Sequence, residues 1–101
     1  MSQEDVTDFK SLTELSGTLA RVDDPVLIQE FFECLFTPSE IHEMASRWAL
    51  VKLIDEGWSQ RAIAQELGLS LCKITRGSKE LKKENSAFAR MIEISRETPS
   101  D

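Results

Sequence analysis

The chain has little of what marks an enzyme, a disulfide scaffold or a membrane protein. Among 101 residues there are two cysteines and one histidine. Cys34 and Cys72 stand on apolar or helical patterns without metal-ligand spacing and with no leader-like segment before them, so a reduced, cytoplasmic protein is expected. His42 is the single histidine and is expected to have no catalytic role, and no paired carboxylates, metal cluster or phosphate loop can be assembled. No enzyme is expected. Charges interrupt every apolar run before the roughly 18 residues that a membrane span requires. No stretch alternates with period two long enough for a sheet, and neither an internal repeat nor a low-complexity segment occurs. What remains is an all-α protein, read as one domain over residues 1–101. At this size small helical domains often complete their core by pairing.

Charge is the first positive signal. The chain carries a formal −6, yet residues 59–83 hold six basic side chains against Glu66 and Glu80, a net +4. The remainder holds six basic against sixteen acidic residues, a net −10. Such asymmetry suits a negatively charged partner on one face only, unless the basic run is simply a solvated helix face.

Helical punctuation organises the rest. Val6, Phe9, Leu12, Leu15 and Leu19 recur every three or four residues, predicting a helix from about Asp5 to Ala20, with Met1 to Glu4 disordered before it. In DDPVLIQEFFECLF, Asp24 can cap, Pro25 suits the first helical position, and Ile28, Phe31, Phe32 and Leu35 share a face. TPSEIHEMASRWALVKLIDEG has Thr37 as cap, Pro38 at the first position, Glu40 placed to close a capping box, and Gly57 as the stop. Its stripe of Ile41, Met44, Ala45, Trp48, Val51 and Ile54 leaves Leu50 and Leu53 on another side, so this helix is expected to be buried from more than one direction. Trp48 and Trp58 read as core and helix-junction packing. SAFARMIEISRE, capped by Ser86, supplies a last helix through Phe88, Met91, Ile92 and Ile94.

The basic segment, SQRAIAQELGLSLCKITRGSKELKKEN, holds two more helical patterns. Ser59 can cap a helix of about eight residues with Ile63 and Leu67 inward, and Ala64 is small enough for a second helix to approach. Gly68 permits a left-handed turn, Leu69 fills the corner, and Ser70 caps a second helix running through Leu71, Ile74 and Gly77 to Leu81. Apolar residues and a turn glycine at these intervals are what a helix-turn-helix over 59–83 requires. A plain helical hairpin would leave Arg61, Lys73, Lys79, Lys82 and Lys83 unexplained. Double-stranded DNA explains them, because cations that neutralise phosphates release condensed counterions and a helix N-terminus adds its own partial positive charge.

At ITRGSKELK, and back through FTPSEIHEMASRWALVKLIDEGWSQRAIAQELG, the sequence resembles the tryptophan repressor family. The resemblance covers about residues 31–83 and weakens in the first and last helices. It implies about six helices in an intertwined homodimer whose reading helices fit successive major grooves of operator DNA, with L-tryptophan as corepressor. Carried over by residue, Arg47 and Arg76 match the arginines that flank the indole and meet its carboxylate, Thr37 the polar residue beside them, and Gly77 the close-packed wall. The chemistry suits a partly buried carboxylate, since a guanidinium is planar, permanently charged and able to stack on an indole face. Arg61 resembles the family's base-contacting residue; Leu71, Cys72, Lys73 and Thr75 occupy its reading positions, and Lys79 and Lys82 join them on the DNA-binding face. Cys72 reads as a small residue that fits the groove. Without the resemblance, Arg47 could pair with Glu43, and Arg76 could contact a phosphate.

Several positions depart from the family pattern. Ala64 stands where a Lys is often found, and Lys73 where a small hydroxyl is expected. Cys34 and Phe36 replace smaller or aliphatic pocket residues. Glu80 stands where a Ser helps hold the ligand's amino group; it can take the α-ammonium itself or pair with Arg76 one turn before it. Two further readings stay open at the level of sequence: a regulator of the same fold without a tryptophan response, and a helical adaptor that binds proteins through its acidic body.

Overall fold

The computed structural model describes residues 3–97, with side chains from Asp8 onward. Six helices make up the fold, with no strand among the described residues: α1 (Gln3–Leu19), α2 (Pro25–Leu35), α3 (Pro38–Asp55), α4 (Gln60–Leu67), α5 (Leu71–Lys82) and α6 (Ala87–Arg96). Of the segment expected to be disordered, Met1 and Ser2 lie outside the described residues, whereas Gln3 and Glu4 are already helical. Nothing in that stretch breaks a helix, so α1 extends back beyond its first apolar residue. The chain divides into two compact units, residues 1–41 and 42–101.

In the first unit, α1 tolerates its Ser and Thr residues by turning their hydroxyls onto the preceding turn. Thr13, Ser16 and Thr18 donate to the carbonyls of Phe9, Leu12 and Glu14 at 2.8–2.9 Å. Asp24 caps α2 by accepting from the Val26 amide at 3.0 Å, with Pro25 at the first position as expected. The start of α3 is the expected capping box: Thr37 Oγ1 accepts from the Glu40 amide at 3.2 Å, and Glu40 Oε1 accepts from the Thr37 amide at 2.9 Å. None of residues 8–41 is buried. Phe9, Leu12, Val26 and Leu27 are each more than half exposed.

The second unit holds the core. Leu50 of α3, Ile63 of α4 and Ile74 of α5 are buried together, with Leu53, Ile54, Ala64, Leu67 and Leu69 packed around them. Val51 and Ile92 are the other buried apolar side chains. Leu50, which lies off the main apolar stripe of α3, is thus one of the centres of the core, while Met44 and Ala45 on the stripe are exposed. α3 ends with Trp58 N–H donating to Leu53 O and Gly57 N–H to Ile54 O, the paired bonds of a Schellman motif. Trp58, expected to pack at this junction, remains 42% exposed. Trp48 is half-buried, with the Lys52 ammonium 5.9 Å from its ring centroid. Ser86 caps α6 by accepting from the Ala89 amide, and an Arg96–Asp55 ion pair ties α6 to α3.

Candidate nucleic-acid interface and effector groove

The helix-turn-helix forms as its sequence dictates. Ser59 accepts from the Ala62 amide at 3.1 Å and starts α4; Ser70 accepts from the Lys73 amide at 3.3 Å and starts α5. Between them Gly68 adopts φ +65°, ψ +30°, the left-handed conformation that only glycine enters without steric cost, and its amide closes α4 onto Ala64 O at 2.9 Å. Ile74 and Gly77 point α5 inward. Leu71, Cys72, Lys73, Thr75, Lys79 and Lys82 are all exposed on it, as is Arg61 in the first turn of α4. Leu71 is 58% exposed although apolar and first in its helix. Both cysteines are free thiols and exposed.

Behind the outward residues of α5 lies a groove of about 360 Å³, formed within the second unit. It brings together four of the residues expected from sequence in the ligand pocket: Arg47 from α3, and Arg76, Gly77 and Glu80 from α5. Apolar side chains line it as well: Leu50 and Val51 of α3, Leu69 of the turn and Phe88 of α6. Gly77 admits the close approach that shapes it, since a Cβ there would stand 2.9 Å from Leu50 Cδ2 and 3.3 Å from Leu50 Cγ. His42, Glu43, Ser46 and Lys73 complete the lining.

The electrostatics of the groove are amphoteric. Three cations, Arg47, Lys73 and Arg76, face two carboxylates, Glu43 and Glu80. Neither expected intrahelical pair of an arginine forms: among the described residues the ion pairs are Arg96–Asp55 and Lys83–Glu80, the latter at 2.9 Å. Both guanidinium groups therefore stay available to an incoming carboxylate, which the apolar walls would shield from water. No group of three or more His, Cys, Asp or Glu among the described residues could hold a metal ion.

Three other residues of the expected pocket belong to the first unit. Cys34 is exposed on α2; Phe36, at the end of α2, is half-buried with its ring 6.0 Å from that of Phe32; Thr37 is engaged in the capping box. Sequence reasoning did not single out Leu50, Val51, Leu69 or Phe88 for the groove, nor His42, Glu43, Ser46. The signal available was helical spacing alone: 43, 46, 47 and 50 share one face of α3, and 73, 76, 77 and 80 one face of α5.

Comparison with known proteins places this arrangement in one family. A profile of the Trp repressor protein matches residues 10–96. The chain is 36% identical over 74 residues to the Trp operon repressor homolog of Chlamydia caviae, spanning 72% of this chain and 73% of that one. It is 35% identical over 86 residues to the Trp operon repressor homolog of Xylella fastidiosa strain M23, spanning 84% and 88%. Its backbone matches the crystal structure of a candidate Trp repressor from Staphylococcus aureus with a TM-score of 0.78 at 26% identity, over 98% of this chain and all of that one. The six-helix fold, the helix-turn-helix and these likenesses agree: the chain belongs to the Trp repressor family of DNA-binding transcription regulators, which are not enzymes.

Proposed function

We propose that the protein represses transcription by binding operator DNA as a homodimer when L-tryptophan occupies the groove behind α5, and so regulates genes of tryptophan biosynthesis or uptake in the cytoplasm. One observation carries this reading: Arg47 and Arg76 converge, free of ion pairs among the described residues, on an apolar-walled groove whose other wall is the helix that exposes Leu71, Cys72 and Thr75. The arginines take the ligand carboxylate, the walls take the indole, and Glu80 lies beside them. Thr37 joins the ligand set by its match to the family motif, and Cys34 and Phe36 by standing, as departures, at positions where the family has pocket residues. Arg61, Lys73, Lys79 and Lys82 join the reading residues at bases and phosphates. A ligand wedged against α5 holds the reading helix at one angle, which is how occupancy of the groove reaches the DNA.

The exposed surface of the first unit supports the dimer reading. That unit buries none of residues 8–41 and exposes Phe9, Leu12, Val26 and Leu27, an apolar surface that a second copy would cover. The test is a DNA-binding assay with and without tryptophan. Saturating tryptophan should raise operator affinity by about 5- to 150-fold, the ordinary range for coupled sites. Unchanged operator affinity would reject the corepressor role while leaving DNA binding intact.

A further inference from the structure

Lys73 belongs to both surfaces of α5. Residues 73, 76, 77 and 80 share one face of the helix, and Lys73 lines the groove with Arg76 and Gly77. It is also the third residue of α5, at the end with which helix-turn-helix proteins, the Trp repressor among them, contact base edges. Helical side chains lean toward the N-terminus of their helix, so its stem overhangs that end. Its amide donates to Ser70 Oγ at 3.3 Å, which fixes the backbone, while its side chain is exposed and, among the described residues, joins no ion pair. The groove gives it no acid of its own: Glu80 Oε1 is taken by Lys83 at 2.9 Å, which leaves Glu43 for three cations. A small hydroxyl, which the family resemblance leads one to expect here, could neither line the groove with an apolar stem nor carry a charge to a phosphate.

We propose that Lys73 couples the groove to DNA: with the groove empty its stem lies along the apolar wall, and a bound effector takes that wall and turns the ammonium out onto a backbone phosphate. The inference rests on the reading of the groove as the tryptophan site and adds a device to it. Stem and indole compete for the same apolar surface, and a lysine stem excluded from it moves into solvent, which at this end of α5 is where the phosphates run. Tryptophan is a zwitterion and brings no net charge, so it leaves the positive surplus of the groove unanswered; a phosphate answers it.

A charge that is turned out by the effector differs from a fixed phosphate contact in when it is felt. Operator binding is to be measured over a range of salt concentrations, with and without saturating tryptophan, for wild type, Lys73→Ala, Lys73→Arg and Lys82→Ala. With tryptophan, Lys73→Ala should make the logarithmic salt slope shallower by about two, one phosphate per protomer, and lower affinity about two- to fivefold per protomer. Without tryptophan it should lose at most about half as much of the slope. Lys73→Arg, which keeps the charge, should hold the wild-type slope in both conditions. Lys82→Ala, at a position that does not line the groove, should cost the same with and without tryptophan. Equal losses for Lys73→Ala in the two conditions would make Lys73 a fixed contact and overturn the proposal, as would no loss with tryptophan present; either result leaves the corepressor reading standing. If tryptophan leaves the operator affinity of wild type unchanged, that reading fails and takes this inference with it.

Discussion

Gly77 and Leu50 set how closely α5 lies against α3, since a Cβ on Gly77 would meet Leu50 Cδ2 at 2.9 Å and Ile54 Cδ1 at 3.7 Å. Leu50 is itself buried in the core and has little room to yield. Gly77→Ala should overpack this contact at a cost of about 1–3 kcal/mol, offset by up to about 1 kcal/mol of helix propensity. Urea unfolding should therefore show a modest net loss. With Leu50→Ala already present the same substitution should instead stabilise, because the clash is gone and the propensity gain remains. A loss of equal size in both backgrounds would refute the contact as its cause.

Arg76→Ala should abolish the response to tryptophan, and Arg47→Ala should weaken it strongly. Each removes a charged partner of the ligand carboxylate, worth about 1.5–3 kcal/mol, or roughly ten- to a hundredfold in affinity. Both side chains are exposed in the ligand-free chain, so thermal stability should move by no more than about 0.5 kcal/mol. Calorimetry and thermal unfolding on the same samples check both halves of this expectation.

Leu71 is a large apolar side chain in solvent at the start of α5, a position with no folding rationale. Leu71→Ala should leave stability within about 0.5 kcal/mol and cost about 1–3 kcal/mol of operator discrimination, as expected of an apolar side chain against a base edge. A competition assay with specific and random duplexes measures that discrimination. Equal loss on both duplexes would assign Leu71 to backbone contacts instead.

Binding should weaken steeply with salt. The +4 of residues 59–83 is presented twice in a dimer, and neutralising about six phosphates gives a logarithmic slope of roughly −5. Half-sites should lie about one helical turn apart, the spacing known for helix-turn-helix dimers, the Trp repressor among them. Titrations at several salt concentrations read the slope; a value near zero would remove the electrostatic basis of the interface.

The capping box makes one contribution to stability depend on pH. Glu40 accepts from the Thr37 amide and bonds with the Thr37 hydroxyl, which together hold its carboxyl below the ordinary value of 4.5. A carboxyl with a lowered folded-state pKa stabilises the fold above its unfolded value, and that stabilisation is lost as pH falls through the folded-state value. Glu40→Gln keeps an acceptor for the Thr37 amide but cannot titrate. The difference in melting temperature between wild type and Glu40→Gln should hold steady above about pH 4.5 and shift as the pH drops further. A difference independent of pH would show that the charge contributes nothing.

The parts of this molecule that were legible in its sequence are those fixed by near neighbours. Ser59, Ser70 and Ser86 each cap the helix they were expected to cap, and Gly68 takes the left-handed turn, because capping and turn geometry depend on residues three or four apart. Arg47, Arg76, Gly77 and Glu80 were gathered by resemblance and do share a groove. What spacing could not give was the crossing of helices. Leu50 was expected on a second buried side of α3, but only the packing of α4 and α5 over it makes that side the core, and Phe88 enters the groove only because of where α6 docks. Glu80 shows the remaining limit: Arg76 at four residues before it and Lys83 at three residues after it are both allowed partners, and only the folded chain reveals that Lys83 is taken.

One helix of twelve residues carries both jobs in the proposed mechanism: α5 turns Leu71, Cys72 and Thr75 outward, and Arg76, Gly77 and Glu80 toward the groove. Lys73 is shared between the two surfaces. Natural variation in this protein is accordingly constrained as a pair of linked traits. A lineage that changes its operator must retune α5 without moving the face that senses the effector, and one that acquires a new effector does so on the back of its own reading head. A substitution that shifts α5 to suit one surface is then felt at the other, because both ride on the same twelve residues.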